Sequence, residues 1–249
     1  MTERALVEPM QCAILAGGLA TRMRPLTETI PKALLPVAGR PFAWWQLRWL
    51  ADQGVSDVVY CVAHMGEQIR DYVGDGDTWG LRVRYADEGT SLRGTAGALA
   101  DAARAGMLED EFLVLYGDSY LDVSVSRLWQ EFERSGHPML LSVFHNGGAY
   151  DRSNVRFANG MVELYAKNVE EPSSVGLHHI DYGLSAMRTD ALLAEVPQGP
   201  DPVDLATLQH RFSVQGRLAG FEVFERFYEI GSPEGLVELE AFLGSSEMD

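Results

Sequence analysis

A glycine pair followed by spaced cations opens the chemistry of this chain. Gly17-Gly18 precedes Thr21, Arg22 and Arg24, and Pro25-Leu26-Thr27 leads on to Pro31-Lys32. Glycine lets a ligand approach the main chain with no side chain in the way, and Arg22, Arg24 and Lys32 set three positive charges around it. That combination holds a polyphosphate. Two further carboxylates stand where they could act on such a ligand. Asp118 follows Gly117 at the end of an apolar run, where it can hold a divalent cation or cap the next helix. Glu88 lies in Asp87-Glu88-Gly89-Thr90-Ser91-Leu92-Arg93-Gly94-Thr95. A carboxylate there can accept both N1–H and the N2 amino group of guanine, whereas uracil and thymine offer only N3–H; a solvated loop acid is the competing reading.

The better known phosphate loops do not match. The dinucleotide fingerprint needs three spaced glycines before a helix and the P-loop needs Gly-Lys-Ser/Thr, but Thr21-Arg22 and Pro25 occupy that ground. Hydride transfer and P-loop ATPase chemistry lose support accordingly.

These residues require a strand before each loop. The run Cys12 to Ala16 predicts a buried strand ending at the glycines. Strands are predicted also at 58–62, 81–85, 111–116 and 139–144, alternating with helices at 41–53, 67–73, 95–105 and 128–134. Such alternation is the pattern of a parallel sheet covered on both faces. Trp44, Trp45 and Trp49 with Leu47 and Leu50 read as a core stripe on the first helix rather than a base-stacking platform. From Asn146 to Arg188 the rhythm changes to short strands and turns, with Asn159-Gly160 as the tip of a hairpin between 155–157 and 162–165. Helices follow at 191–195 and 203–212, separated by a turn-rich link at 197–202, and Ser232-Pro233 opens a terminal helix as N-cap and first residue. One domain over residues 1–249 is expected, with the phosphate loop in 1–145 and a smaller lobe with C-terminal helices in 146–249.

A formal charge of −16 argues against nucleic acid or an anionic membrane as partner, since both would be repelled. Cations gathered in one cleft can still hold a small anion. Cys12 and Cys61 lie in apolar runs and read as buried thiols, with no disulfide framework or zinc site. Without a signal pattern or an apolar segment of about twenty residues, a soluble cytoplasmic protein is expected. Self-association is left open.

The string Gly-Gly-x-x-x-Arg-x-x-Pro-x-Thr with Pro-Lys after it resembles the sugar-1-phosphate nucleotidyltransferases, also called nucleotide-sugar pyrophosphorylases. Gly117-Asp118, the Glu88 to Ala98 segment, Lys167 and the run Tyr228-Glu229-Ile230-Gly231-Ser232-Pro233 extend the likeness from residue 12 to about 235. The wording from Ser153 through Lys167-Asn168 and Asp181-Tyr182-Gly183 looks most like the short heptose- or mannose-1-phosphate guanylyltransferases. The resemblance implies a Rossmann-like three-layer α/β/α fold with a mostly parallel sheet and a small sugar-binding lobe. It implies transfer of a nucleotidyl group from a triphosphate, with GTP preferred, to a sugar 1-phosphate, and Mg²⁺ as cofactor.

Under that likeness the expected nucleotide contacts are Leu15, Ala16, Gly17, Gly18, Thr21, Arg22, Glu88, Gly94 and Thr95. Arg22, Lys32 and Asp118 carry the chemistry, with Lys32 near the α-phosphate and the incoming phosphate. Asp118 and Glu229 hold the metal. Lys167, Ser119, Asp181 and Tyr182 take the sugar phosphate, His178 and His179 being alternative sugar contacts or a satisfied strand pair. Gly94 lets the base lie close to the backbone, and Arg93 is an added phosphate contact or a surface cation. The chain departs from the pattern at Ala166, where relatives carry glutamate, at Glu229, where aspartate is usual, and at Leu92-Arg93, where Pro-Leu is common. UTP is the alternative donor. A nucleotide-sensing subunit that has lost turnover is the alternative class.

Overall fold

Why the apolar runs of the central strands are unbroken is plain from the sheet: those strands are buried on both faces. A computed structural model describes residues 10–246. Nine strands form one sheet: β1 (Met10–Leu15), β2 (Val55–Val62), β3 (Arg82–Asp87), β4 (Glu111–Tyr116), β5 (Met139–His145), β6 (Val155–Ala158), β7 (Met161–Tyr165), β8 (His179–Arg188) and β9 (Leu218–Val223). Along β1, Cys12 and Ile14 enter one core while Ala13 enters the other; along β4, Leu113 and Leu115 part from Phe112 and Val114 in the same way.

The strand order is β3-β2-β1-β4-β8-β5-β9-β7-β6. The first four are parallel. β8 then runs antiparallel between β4 and β5, β9 lies parallel to β5, and β7 and β6 close the far edge as an antiparallel pair. On one face pack α1 (Phe42–Asp52), α2 (Gly66–Val73) and α4 (Val125–Ser135). On the other pack the alanine-rich α3 (Gly94–Arg104), α5 (Thr189–Glu195) and α6 (Leu205–Val214). α7 (Pro233–Ser246) closes a third apolar cluster through Leu239 and Leu243 against Phe42 and Trp45. Trp45 and Trp49 are buried, as a core stripe requires, and the Trp45 indole N–H donates to the Val37 carbonyl at 2.9 Å.

The chain builds β1, β2 and β3 outward, then crosses back to lay β4 on the other side of β1. That reversal opens a crevice at the carboxyl ends of β1 and β4, the place where open α/β sheets take their ligands. The hairpin tip lies at Asn159 and Gly160, both with positive φ. Ser232 caps α7, its Oγ accepting the Gly235 amide at 3.1 Å.

Two stretches differ from expectation. The segment up to Arg188 does not consist only of short strands: its last ten residues are β8, at the middle of the sheet. Gly183, with φ +105°, sits where the β8–β5 register shifts between Asp181 and Ser185, and this break disguises one strand as two. β9 was not anticipated, because Gly220 interrupts it. A Cβ on Gly220 would lie 2.6 Å from the Phe157 ring, so the glycine makes room for a side chain of the neighbouring hairpin.

Candidate active site

A cavity of about 300 Å³ fills the crevice, lined by Leu15, Ala16, Gly17 and Gly18 after β1, by Tyr116, Gly117 and Asp118 after β4, and by Lys32, Glu88, Leu92, Gly94, Thr95 and Asp204 around its rim. The two strand ends meet closely. The Gly117 amide donates to the Leu15 carbonyl at 3.0 Å, and a Cβ on Gly117 would lie 2.5 Å from that oxygen. Only glycine fits there. Cys12 and Cys61 are free and buried, and burial pushes the Cys61 thiol up to about 12, so neither offers a thiolate.

At the mouth of the cavity the charged residues converge from distant parts of the sequence. Lys32 Nζ lies 2.9 Å from Asp118 Oδ2. The Asp118 carbonyl accepts the Ile230 amide at 2.9 Å, and Ser119–Tyr120 pairs with Tyr228–Glu229 as a two-stranded ribbon. This ribbon sets Glu229 beside Asp118. A Cβ on Gly231 would stand 3.5 Å from Arg22 Nη2, 3.8 Å from Glu229 Oε2 and 3.9 Å from Asp118 Oδ2, so one cation and two carboxylates border the same small space. Burial first, and the Asp118 charge second, raise the Glu229 carboxyl to about 7. Two carboxylates kept this close without a neutralising charge are mutually unfavourable. Thr21 and Arg22 themselves lie outside the cavity lining, on the exposed loop after Gly18.

At the opposite end the contacts redistribute several expected roles. Glu88 Oε2 accepts the Arg93 amide at 2.7 Å, while Oε1 faces Gly17, 3.1 Å from where its Cβ would be. Burial raises this carboxyl above the usual range. Arg93 is neither a phosphate contact nor a surface cation: it is buried, with Nε on Asp101 at 3.1 Å and Nη1 on the Asp201 carbonyl at 2.6 Å. Gly94 borders the cavity, but its missing side chain serves the protein, since a Cβ there would lie 2.7 Å from the Val203 carbonyl oxygen. Thr95 Oγ1 accepts the Leu205 amide at 2.7 Å and so caps α6 from another helix. Asp204, at the N-cap position of α6, makes no side-chain cap and lines the cavity instead. Sequence reading missed Asp204; an N-cap acid is ordinarily explained by its own helix.

The expected acceptor residues divide. Asp181 is buried, and Oδ2 receives Tyr116 and Tyr165 hydroxyls at 3.1 and 3.4 Å and the Gln209 amide at 3.1 Å, with Gly183 N–H on Oδ1. Burial raises its carboxyl, and the charge of exposed Lys167 pulls it the other way. Lys167 therefore lies within electrostatic reach of the hub that holds Tyr116 at the cavity wall. Tyr182 must be corrected as a sugar contact. Successive strand residues face opposite ways, and its ring is fully buried beside Phe144 and Phe227, with the hydroxyl on the Asp122 and Arg226 carbonyls. Ser119 is buried, and its Oγ has no partner among the described residues. His179 is a satisfied strand residue, bonded to Glu222 Oε1 at 3.2 Å, while His178 is exposed.

A strand-ended crevice with a glycine turn, a lysine–aspartate pair and flanking arginine marks a Rossmann-like α/β protein with its cavity at the strand ends. The chain belongs to the nucleotidyl transferase family, whose model matches residues 12–178. It is 40% identical over 121 residues, 49% of this chain and 52% of the relative, to the N-acetylmuramate alpha-1-phosphate uridylyltransferase of Neisseria meningitidis. It is 34% identical over 119 residues, 48% of this chain and 52% of the relative, to the D-glycero-alpha-D-manno-heptose 1-phosphate guanylyltransferase of Campylobacter jejuni. These matches span about half the length of each relative. Among solved structures, HddC from Yersinia pseudotuberculosis complexed with GMP-PN shares the fold at TM-score 0.76 and 22% identity, with 94% of this chain and 99% of that chain covered. No helix among the described residues is long and apolar enough to cross a membrane.

Proposed function

We propose that this chain is a magnesium-dependent sugar-1-phosphate nucleotidyltransferase that takes GTP as donor and releases pyrophosphate. The observation that carries the reading is the single small space at Gly231 bordered by Arg22, Asp118 and Glu229, with Lys32 on Asp118 at the cavity mouth. Both substrates are anions, so the barrier falls mainly through positioning and charge neutralisation. Arg22 takes the β- and γ-phosphates with its planar fork. Lys32 serves the α-phosphate, and its ion pair with Asp118 keeps it at the junction where the acceptor phosphate arrives. No general base is required, because the attacking phosphate oxygen is already ionised at neutral pH.

The donor set fits a divalent cation. Magnesium is held by one or two carboxylates together with substrate phosphates, and Asp118 and Glu229 are the two carboxylates; burial raises Glu229 most and the Asp118 charge adds to it, and a cation relieves that repulsion. Magnesium bound there supplies charge neutralisation for the phosphates. A usage pattern supports Lys32 and Lys167 as the phosphate-facing residues. The chain has 18 arginines but only two lysines, at these two positions. A compact ammonium on a flexible stem can follow a moving phosphate, whereas most arginines outside the Arg22 loop sit in fixed ion pairs.

GTP as donor is supported by two acceptor carboxylates, Glu88 and Asp204, on the cavity wall, since guanine presents adjacent donors. One observation favours UTP as a second reading: Glu88 Oε2 already receives the Arg93 amide, leaving Oε1 as the outward acceptor, which suits a base with one N–H. A pyrophosphate-release screen of the four ribonucleoside triphosphates and dTTP against a panel of sugar 1-phosphates separates these. Release with GTP alone supports the reading, release with UTP alone moves it to the second, and nucleotide binding with no release from any pair leaves a regulatory subunit. The two lysines allow an independent test. Amine acylation read by peptide mass should label Lys32 in the free protein and spare it with triphosphate present.

A further inference from the structure

We infer that Gln46 is a positioning residue for Asp118, an inference that rests on the reading of Asp118 as part of the transfer site. Gln46 lies in the middle of α1, between Trp45 and Leu47, and is fully buried. A primary amide is an unusual occupant of that apolar face. Its Nε2 donates one hydrogen to the Tyr116 carbonyl at 3.0 Å and the other to the Ser119 carbonyl at 3.0 Å. These are the two carbonyls that bracket Gly117-Asp118. One trigonal nitrogen thus spans the turn, fixing its two ends about 5 Å apart by the geometry of two N–H bonds at this length.

Two other main-chain groups of the turn find main-chain partners, and the Asp118 carboxylate takes Lys32. The Gly117 amide goes to Leu15 and the Asp118 carbonyl to Ile230. Gln46 is therefore the side chain that completes the clamp, and it reaches the turn from the helix that follows the Lys32 loop. Through it, the element downstream of Lys32 is tied to the element carrying Asp118, the partner 2.9 Å from Lys32. The orientation of the amide is set by its contacts, since turning it over would aim its oxygen at two carbonyls. Gln46 Oε1 finds no hydrogen-bond partner among the described residues. A buried acceptor left unpaired is unfavourable, and a role that needed only bulk would be met by methionine or leucine without that penalty.

The turn carries the metal-facing carboxylate, and displacements near 1 Å at a reacting centre can reduce turnover about 100-fold. The test is a double-mutant cycle on the full chain, with Gln46→Met as an isosteric apolar replacement and Gln46→Asn as a shorter amide that reaches one carbonyl. Each is combined with Asp118→Asn. Thermal unfolding and circular dichroism establish that each variant is folded. Pyrophosphate release gives kcat, KM for the triphosphate and the magnesium concentration for half-maximal rate.

With Asp118 intact, Gln46→Met should lower kcat about tenfold or more and raise the half-maximal magnesium concentration, with KM for the triphosphate changed less than about threefold. In the Asp118→Asn background the same replacement should lower kcat less than about twofold, because the group it positions is gone. Should Gln46→Met and Gln46→Asn be folded and leave kcat and the magnesium midpoint unchanged, or lower kcat equally in both backgrounds, the positioning role is overturned and the site reading stands. If Asp118→Asn itself leaves turnover and magnesium dependence intact, the site reading fails and this inference fails with it.

Discussion

Substituting Gly231 by alanine separates stability from chemistry at the point where the three charged side chains meet. The added methyl would lie 3.5 Å from Arg22 Nη2, 3.8 Å from Glu229 Oε2 and 3.9 Å from Asp118 Oδ2, all ordinary contact distances. The backbone at Gly231 has no positive φ, so alanine is unstrained there. Losing glycine's freedom in the unfolded chain then stabilises by about 0.4–1 kcal/mol, or roughly 1–4 °C in Tm for a chain of this size. Function should move the other way. A phosphate oxygen accepting from Arg22 Nη2 sits about 2.8 Å from it, and a methyl already 3.5 Å from that nitrogen denies the approach from its side. Losing a hydrogen bond to a charged group is worth about 1.5–3 kcal/mol, equivalent to roughly a 10- to 150-fold fall in kcat/KM. Pyrophosphate-release kinetics beside a thermal melt measure both. A stable Gly231→Ala protein with normal kcat/KM would refute the idea that substrate uses this space, and a protein destabilised by several kcal/mol would refute the geometry itself.

Five other outcomes are expected. Lys32→Ala should lower kcat by about 100-fold while changing stability by less than about 1 kcal/mol, because its ion pair is part-exposed; equal losses in both would make it structural. Asp118→Asn should raise the magnesium requirement, and an unchanged titration would place the cation elsewhere. Glu88→Gln and Asp204→Asn should each shrink the GTP-to-UTP rate ratio, an unaltered ratio removing that residue from base reading. Burial raises the Glu88 carboxyl, so its proton binds more tightly in the folded state; its stabilising effect is complete below the ordinary carboxylate range and fades as pH rises through the raised value. Glu88→Gln should accordingly be no less stable than the parent at pH 8 by thermal melt. Tyr182→Phe should lower Tm and leave KM for the sugar phosphate unchanged, since the hydroxyl serves the Asp122 and Arg226 carbonyls.

The elements of the first half were legible because its central strands are apolar on both faces, its edge strand alternates apolar and basic residues, and each helix has one apolar face, patterns local to a few residues. β8 and β9 were not, for a shared reason. Each carries a glycine whose purpose lies in another strand: Gly183 sits against Ser119, its Cβ position 2.9 Å from the hydroxyl, and Gly220 sits under Phe157. Read along the chain, such a glycine ends a strand. Read across the sheet, it admits a neighbour.

The same distinction explains which site residues were readable. Arg22, Lys32 and Asp118 are charged residues at strand and loop ends, so the chemistry proposed for them is suggested by type and place. Arg93, Thr95 and Gln46 bear equally on the site but act through bonds to Asp201, Leu205, Tyr116 and Ser119, up to 110 positions away. Arg93 looked like a phosphate cation because its type fits one, and only its burial reveals the internal partners. Gln46 offered a fainter signal, a lone amide amid tryptophans and leucines on a helix otherwise suited to the core. An amide costs more to bury than an apolar residue unless it is bonded, so its presence there already implied a partner in the interior. What the chain alone could not supply was that the partner is the turn carrying Asp118.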